Sequence, residues 1–203
     1  MNHIVLIGHG KMGSALAKGW VKENSQYKIS IIEKEELLLN YKKFTNVKIY
    51  KNFNEFFTEN KKIDFVVLAI KPQQLNDIKN DILKFENKNT VFISILAGKS
   101  VSWFKENIST EIKIVRAMPN LPASISRGVT AIYCSNFILP LIYSNTLPHC
   151  LSAFVAVVEL NNMSLKPASA ILYICLSKSF INMSVDFLAD LFKPSNFFNS
   201  FLV

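Results

Sequence analysis

Short apolar runs alternate with amphipathic stretches over the first 120 residues. His3–Ile7 is apolar and stops at Gly8, which predicts a buried parallel strand. Ser14–Lys22 places Leu16 and Trp20 four apart, a helical spacing. Strands are then predicted at Tyr27–Ile32, Val47–Tyr50, Ile63–Ile70, Thr90–Leu96 and Lys113–Ala117. Helices are predicted between them at Glu35–Tyr41, Asn54–Glu59, Gln74–Lys84 and Val101–Asn107. Strand and helix in strict alternation predict a parallel sheet covered on both faces. Right-handed crossovers make a doubly wound α/β fold of Rossmann type the natural solution.

The first strand runs directly into Gly8-His9-Gly10-Lys11-Met12-Gly13, a G-x-G-x-x-G loop that opens a helix. Gly8 permits the tight turn. Gly10, without a Cβ, lets backbone approach a pyrophosphate, and Gly13 lets helix pack close to strand. Phosphates then sit at the helix N-terminus, where N–H groups and the dipole favour anions. Ile7, Lys11 and Met12 complete this candidate cofactor wall. His9 reads as a solvent-facing spacer. A P-loop is excluded, because no G-K-S or G-K-T follows. Some 20 residues on, Glu33 and Lys34 stand at the tip of the second strand. A carboxylate there binds ribose hydroxyls and favours NAD, whereas Lys34 argues for NADP, so both cofactors stay open.

Composition narrows the class. The 203 residues are half apolar and 19% charged, which supports a packed core rather than disorder. A net charge of +8 permits an anionic partner, but Lys42-Lys43 and Lys61-Lys62 are scattered pairs outside any recognised module, so no nucleic-acid partner is expected. Cys134, Cys150 and Cys175 form no close pair, so neither a disulfide scaffold nor a metal site is expected, and a reducing, cytoplasmic setting is the simple reading. No secretory signal is expected, because the apolar run Ile4–Ile7 stops at Gly8. Gly128–Val158 contains no Asp, Glu, Lys or Arg, yet Asn136, Pro140, Asn145, Pro148 and His149 interrupt it, so no membrane span is assigned.

Two further stretches carry a family resemblance. Val67-Leu68-Ala69-Ile70-Lys71-Pro72-Gln73 closes the fourth strand. Arg116-Ala117-Met118-Pro119-Asn120-Leu121-Pro122 closes the sixth, with Gly128-Val129-Thr130-Ala131 after it. Together with the glycine loop and Ala97-Gly98, they resemble pyrroline-5-carboxylate reductase, over residues 1 to about 133. The resemblance implies hydride transfer from NADH or NADPH to 1-pyrroline-5-carboxylate, giving L-proline, with the cofactor carrying the hard step. It implies that Ala69 leaves room for cofactor and that Lys71 offers charge to its phosphates or ribose. It implies that Asn54 contacts the adenosine part, and that Ala97, Met118, Pro119 and Asn120 line the cofactor, the last three near the nicotinamide. No residue is assigned a catalytic role.

The pattern weakens after Tyr133. Leu151–Leu160 again looks like the helix end and strand that complete the first domain. Where the family carries a serine- and glycine-rich run opening a long helix, this chain has Ser164-Leu165-Lys166-Pro167-Ala168-Ser169-Ala170. From Lys178 to Phe192, Ile181, Val185, Leu188 and Phe192 share a helical face. The expected organisation is a dinucleotide-binding domain at 1–162 and an incomplete helical dimerisation domain at 163–203. A truncated or frame-disturbed reductase is the reading, with a catalytically impaired dinucleotide-binding remnant as the alternative. A homo-oligomer with an incomplete helical interface, or poor solubility, would follow from unpartnered apolar helices.

Overall fold

The computed structural model of the chain describes residues 2–22, 27–33, 41, 44–59, 62–125, 129–134, 154–159, 171–176 and 179–182. Five parallel crossovers build its first half. β1 (His3–Ile7) leads through α1 (Lys11–Lys22) to β2 (Lys28–Ile32) and then to β3 (Val47–Tyr50). α2 (Phe53–Glu59) precedes β4 (Phe65–Leu68), α3 (Lys79–Leu83) precedes β5 (Val91–Ser94), and α4 (Val101–Asn107) precedes β6 (Ile114–Pro119). These six strands lie in the order β3-β2-β1-β4-β5-β6, all neighbours parallel. That is the doubly wound order expected from the alternation.

The strands are apolar because both faces are covered. β1, β4 and β5 are buried at every position. Side chains alternate across the pleat. Ile4, Leu6, Phe65, Val67, Val91 and Ile93 join Leu16, Ala17 and Trp20 of α1 in one core layer. Val5, Ile7, Val66, Leu68 and Phe92 join Phe56, Ile82 and Phe104 of α2, α3 and α4 in the other. Aromatic edges lock the second layer: the Phe56 ring meets Tyr50 at 86° and 5.1 Å, and Phe57 at 75° and 5.4 Å.

Polar groups buried at the amino edge of the sheet are paired. The His3 amide donates to Asp64 Oδ2 at 2.8 Å. Its ring Nδ1 donates to the Lys62 carbonyl at 2.9 Å, which leaves Nε2 to accept from the Ser30 hydroxyl at 2.8 Å. Thr90 Oγ1 donates to the Ile63 carbonyl at 2.9 Å. Burial pushes the His3 imidazole below its ordinary pKa, against the Lys62 carbonyl bond, which acts the other way.

Several expectations are corrected. α1 starts at Lys11 rather than Ser14, because the Ser14 amide bonds back to the Gly10 carbonyl at 2.8 Å and draws the loop into the first turn. The helix expected at Gln74–Lys84 is broken in two. Pro72 opens a 3-10 turn at Pro72–Leu75, and Ile78 (φ −109°, ψ 9°) leaves helical geometry before α3 begins. The helix expected at Glu35–Tyr41 lies outside the described residues, save Tyr41.

Beyond β6 the sheet continues in a way the alternation does not announce. β7 (Val129–Cys134) folds back antiparallel on β6, pairing Arg116 with Tyr133 and Pro119 with Thr130. β8 (Phe154–Glu159) joins β7 in parallel, inside the expected Leu151–Leu160 segment. β9 (Ile171–Leu176) and β10 (Ser179–Asn182) follow antiparallel, giving ten strands among the described residues. The helix expected over Lys178–Phe192 is therefore overturned at Ser179–Asn182, where backbone groups pair with β9 instead of within a helix. Residues 183–203, the 164–170 run and the charge-free 135–153 stretch lie outside the described residues.

Candidate functional site

The strand order reverses between β1 and β4, and the sheet opens there at its carboxyl edge. The Gly8 amide bonds the Ile32 carbonyl at 3.0 Å and the Ala69 amide bonds the Ile7 carbonyl at 2.8 Å, so three strand ends are tied at one point. A cleft of about 760 Å³ lies over them. Its walls come from the glycine loop, the tip of β2, the residues before α2 and the turn after β4.

Each glycine of the loop has a separate physical reason. Gly8 has φ +92°, and a Cβ there would stand 2.7 Å from the Ala69 carbonyl oxygen. Only glycine meets both demands. A Cβ on Gly13 would stand 2.6 Å from the Gly8 carbonyl oxygen and 3.3 Å from the Ala69 Cβ, so helix and strand pack without a side chain between them. Gly10 differs: a Cβ there meets nothing within 4 Å. Gly10 lines the cleft at the start of α1, so its missing side chain leaves room for a ligand rather than for the protein. The first N–H groups of a helix have no partner within it. Together these features fit an anionic group such as a pyrophosphate.

The cleft brings together Ile7, Gly8, Gly10, Lys11, Met12, Glu33, Ala69 and Lys71 of the expected site. Lys11, Lys51 and Lys71 supply positive charge around it, and Glu33 and Asp77 negative charge. Glu33 is held in place, its Oε2 accepting the His9 amide at 2.7 Å. Gly13 lies just behind the lining. Ala97, Met118, Pro119 and Asn120 follow or end β5 and β6 at the same carboxyl edge but do not line the cleft. Met118 is 48% exposed, while Pro119 is buried. Asn54 is also outside the lining: α2 starts at Phe53, and it is Asn52 and Phe53 that face the cleft. Lys34 lies outside the described residues.

Two residues were misjudged or missed from sequence. His9 is no solvent-facing spacer. It is half-buried, its Nε2 3.0 Å from the Tyr41 hydroxyl and its ring edge-on to Tyr41 at 5.3 Å and 89°. Asn52 caps α2, its Oδ1 accepting the Glu55 amide at 2.8 Å while Glu55 accepts the Lys51 amide at 2.9 Å. The N-x-x-E spacing could have revealed that cap. Among the described residues no cluster of His, Cys, Asp and Glu could hold a metal ion, and no helix is long and apolar enough to cross a membrane.

Residues 3–98 match the family model described as NADP oxidoreductase coenzyme F420-dependent. A pyrroline-5-carboxylate reductase of Staphylococcus epidermidis is 28% identical over 177 residues, 83% of this chain and 62% of the relative. That of Mycobacterium tuberculosis is 31% identical over 147 residues, 69% of this chain and 49% of the relative. The chain is a relative of the pyrroline-5-carboxylate reductases. It spans about half to two thirds of the length of these two relatives. Among solved structures, the Plasmodium falciparum pyrroline carboxylate reductase with NADP bound superposes at TM-score 0.61 and 24% identity, over 78% of this chain and 58% of that one. A prephenate dehydrogenase from A. aeolicus reaches 0.60 at 13% identity, over 78% of this chain and 60% of that one, so this likeness is one of fold.

Proposed function

We propose that the chain binds NADH or NADPH in the glycine-loop cleft and reduces 1-pyrroline-5-carboxylate to L-proline, as a cytoplasmic enzyme of proline synthesis. The observation that carries the reading is the pairing of two features at one sheet edge. The glycine-loop cleft opens beyond β1 and β4, and the Arg116–Pro122 run ends β6 on the same side. The named relatives support the substrate.

In this reading the α1 N-terminus with Gly8, Gly10 and Gly13 takes the pyrophosphate, and Lys11 and Lys71 balance its charge. Glu33 meets the adenosine ribose, and Ala69 keeps the floor low. Asn52 and Phe53, rather than Asn54, reach the adenosine side. Ala97, Met118, Pro119 and Asn120 border the nicotinamide end, where the rigid Pro119 fixes the wall. A reduced nicotinamide held there would supply a hydride to the carbon of the protonated imine, giving L-proline and the oxidised cofactor. Orientation of the two reactants is the protein's contribution.

The test is pyrroline-5-carboxylate-dependent oxidation of NADH and NADPH by the purified chain, run beside cofactor binding. Turnover supports the reductase. Binding without turnover leaves the second reading, a dinucleotide-binding relative with impaired catalysis. That reading is favoured by the Ser164–Ala170 run, which lacks the glycines of the family pattern.

A further inference from the structure

One side-chain pair at the cleft has no part in the reduction. His9 lies between two glycines of the loop and lines the cleft. Its Nε2 is 3.0 Å from the Tyr41 hydroxyl. Tyr41 is only 5% exposed and packs with Leu6 and Trp20 in the α1-side core. A buried phenol thus pins an imidazole that loop position alone would leave unconstrained. The ring's other nitrogen, Nδ1, has no partner among the described residues.

The same residue is bonded to the acid at the tip of β2, its amide donating to Glu33 Oε2 at 2.7 Å. A carboxylate at that tip accepts ribose hydroxyls and repels a 2′-phosphate. A cation beside it offsets the repulsion and adds a charge-assisted donor. We propose that His9, held by Tyr41, sets the preference of this cleft between an unmodified and a phosphorylated adenosine 2′-hydroxyl. The inference rests on the dinucleotide reading of the cleft. Neutral His9 leaves Glu33 to favour the hydroxyl, and protonated His9 admits the phosphate.

The groups that face His9 decide its charge. Burial pushes its pKa down, the Glu33 carboxylate pulls it up, and Lys18 of α1 pushes it down. Burial also raises Tyr41 to about 12, so the phenol stays neutral. Lys11, Lys51, Lys71 and Asp77 surround the cleft further out. His9 is accordingly neutral at pH 7 and above, and gains its proton as pH falls or as a 2′-phosphate approaches.

Calorimetric titration of the full chain with NADPH and with NADH, from about pH 8 down to about pH 5.5, tests this. His9→Gln supplies the baseline, because the 2′-phosphate itself titrates near pH 6 in every variant. Relative to that baseline, the wild-type preference for NADPH should rise about fivefold across the range. Tyr41→Phe, which keeps the ring and loses the hydroxyl, should show a smaller rise, with far-UV circular dichroism confirming its fold. A His9→Gln profile within twofold of wild type, with both cofactors bound, overturns the role of His9 alone. If neither cofactor binds the wild-type chain, the dinucleotide reading falls and this inference with it.

Discussion

Replacing the loop glycines one at a time by alanine should separate folding from binding. At Gly8, φ is +92° and the new Cβ would sit 2.7 Å from the Ala69 oxygen and 2.8 Å from both the Ala69 carbonyl carbon and Ile70 Cγ2. Two of those atoms are backbone, so the strand end must move. Positive-φ strain costs about 1–2 kcal/mol, and overpacking adds about 1–3 kcal/mol. The sum, about 2–5 kcal/mol, lowers Tm by about 4–20 °C for a chain of this size. At Gly10 the same methyl meets nothing within 4 Å, and no positive φ is required. Its stability cost should be under about 1 kcal/mol, and reduced unfolded-state freedom offsets part of that. The methyl does project into ligand space, so NADPH affinity should fall at least about tenfold, about 1.4 kcal/mol. Thermal melts and calorimetric titration of the two variants read both effects. The reasoning is refuted if Gly10→Ala melts as low as Gly8→Ala, or if it binds NADPH as tightly as the unaltered chain.

Other consequences can be checked alongside. Phe56→Ala removes a fully buried ring from the α2 side of the sheet and should cost about 3–5 kcal/mol in urea unfolding; a loss under about 1 kcal/mol would show that the aromatic layer is not packed as described. His3 and His9 both have folded pKa values held below the ordinary histidine value by burial. Their contribution is complete above about pH 6.5 and is lost as pH falls through that value toward the depressed folded ones. Urea midpoints should therefore drop between about pH 7.5 and 5.5, and the drop should shrink in a His3→Asn, His9→Gln double variant. Lys71→Ala removes an exposed cation of the cleft wall and should weaken both cofactors by a few-fold, an effect that 0.5 M salt screens away in about equal measure in the parent chain; unchanged binding at low salt counts against a phosphate-facing Lys71.

Much of the first half is legible in the chain because its signals are local. A run such as Phe65–Leu68 is apolar at every position and can only be a strand covered on both faces. The glycine loop is legible for the same reason: its spacing and its strand-to-helix context lie within a dozen residues. Boundaries were harder. Pro72 and the Asn76-Asp77 pair favour turn geometry, and they divide what periodicity alone reads as one helix. The antiparallel return of β7 onto β6 was not legible, since the six-residue Val129–Cys134 segment could pair with either neighbour in either direction until the sheet existed.

The candidate site shows the same division. Residue type and spacing alone are enough for the α/β alternation, the phosphate-fitting loop and the Arg116–Pro122 run, because each depends on neighbours along the chain. Which side chains share the cleft depended on long-range packing. Asn52 faces it and Asn54 does not, because the cap sets where α2 begins. Glu33 is tied to a loop amide 24 residues away, and His9 is turned inward by Tyr41, 32 residues away. A hydrogen bond across such a separation exists only after the strands between have paired, so composition and periodicity carry no trace of it; the folded sheet decides it.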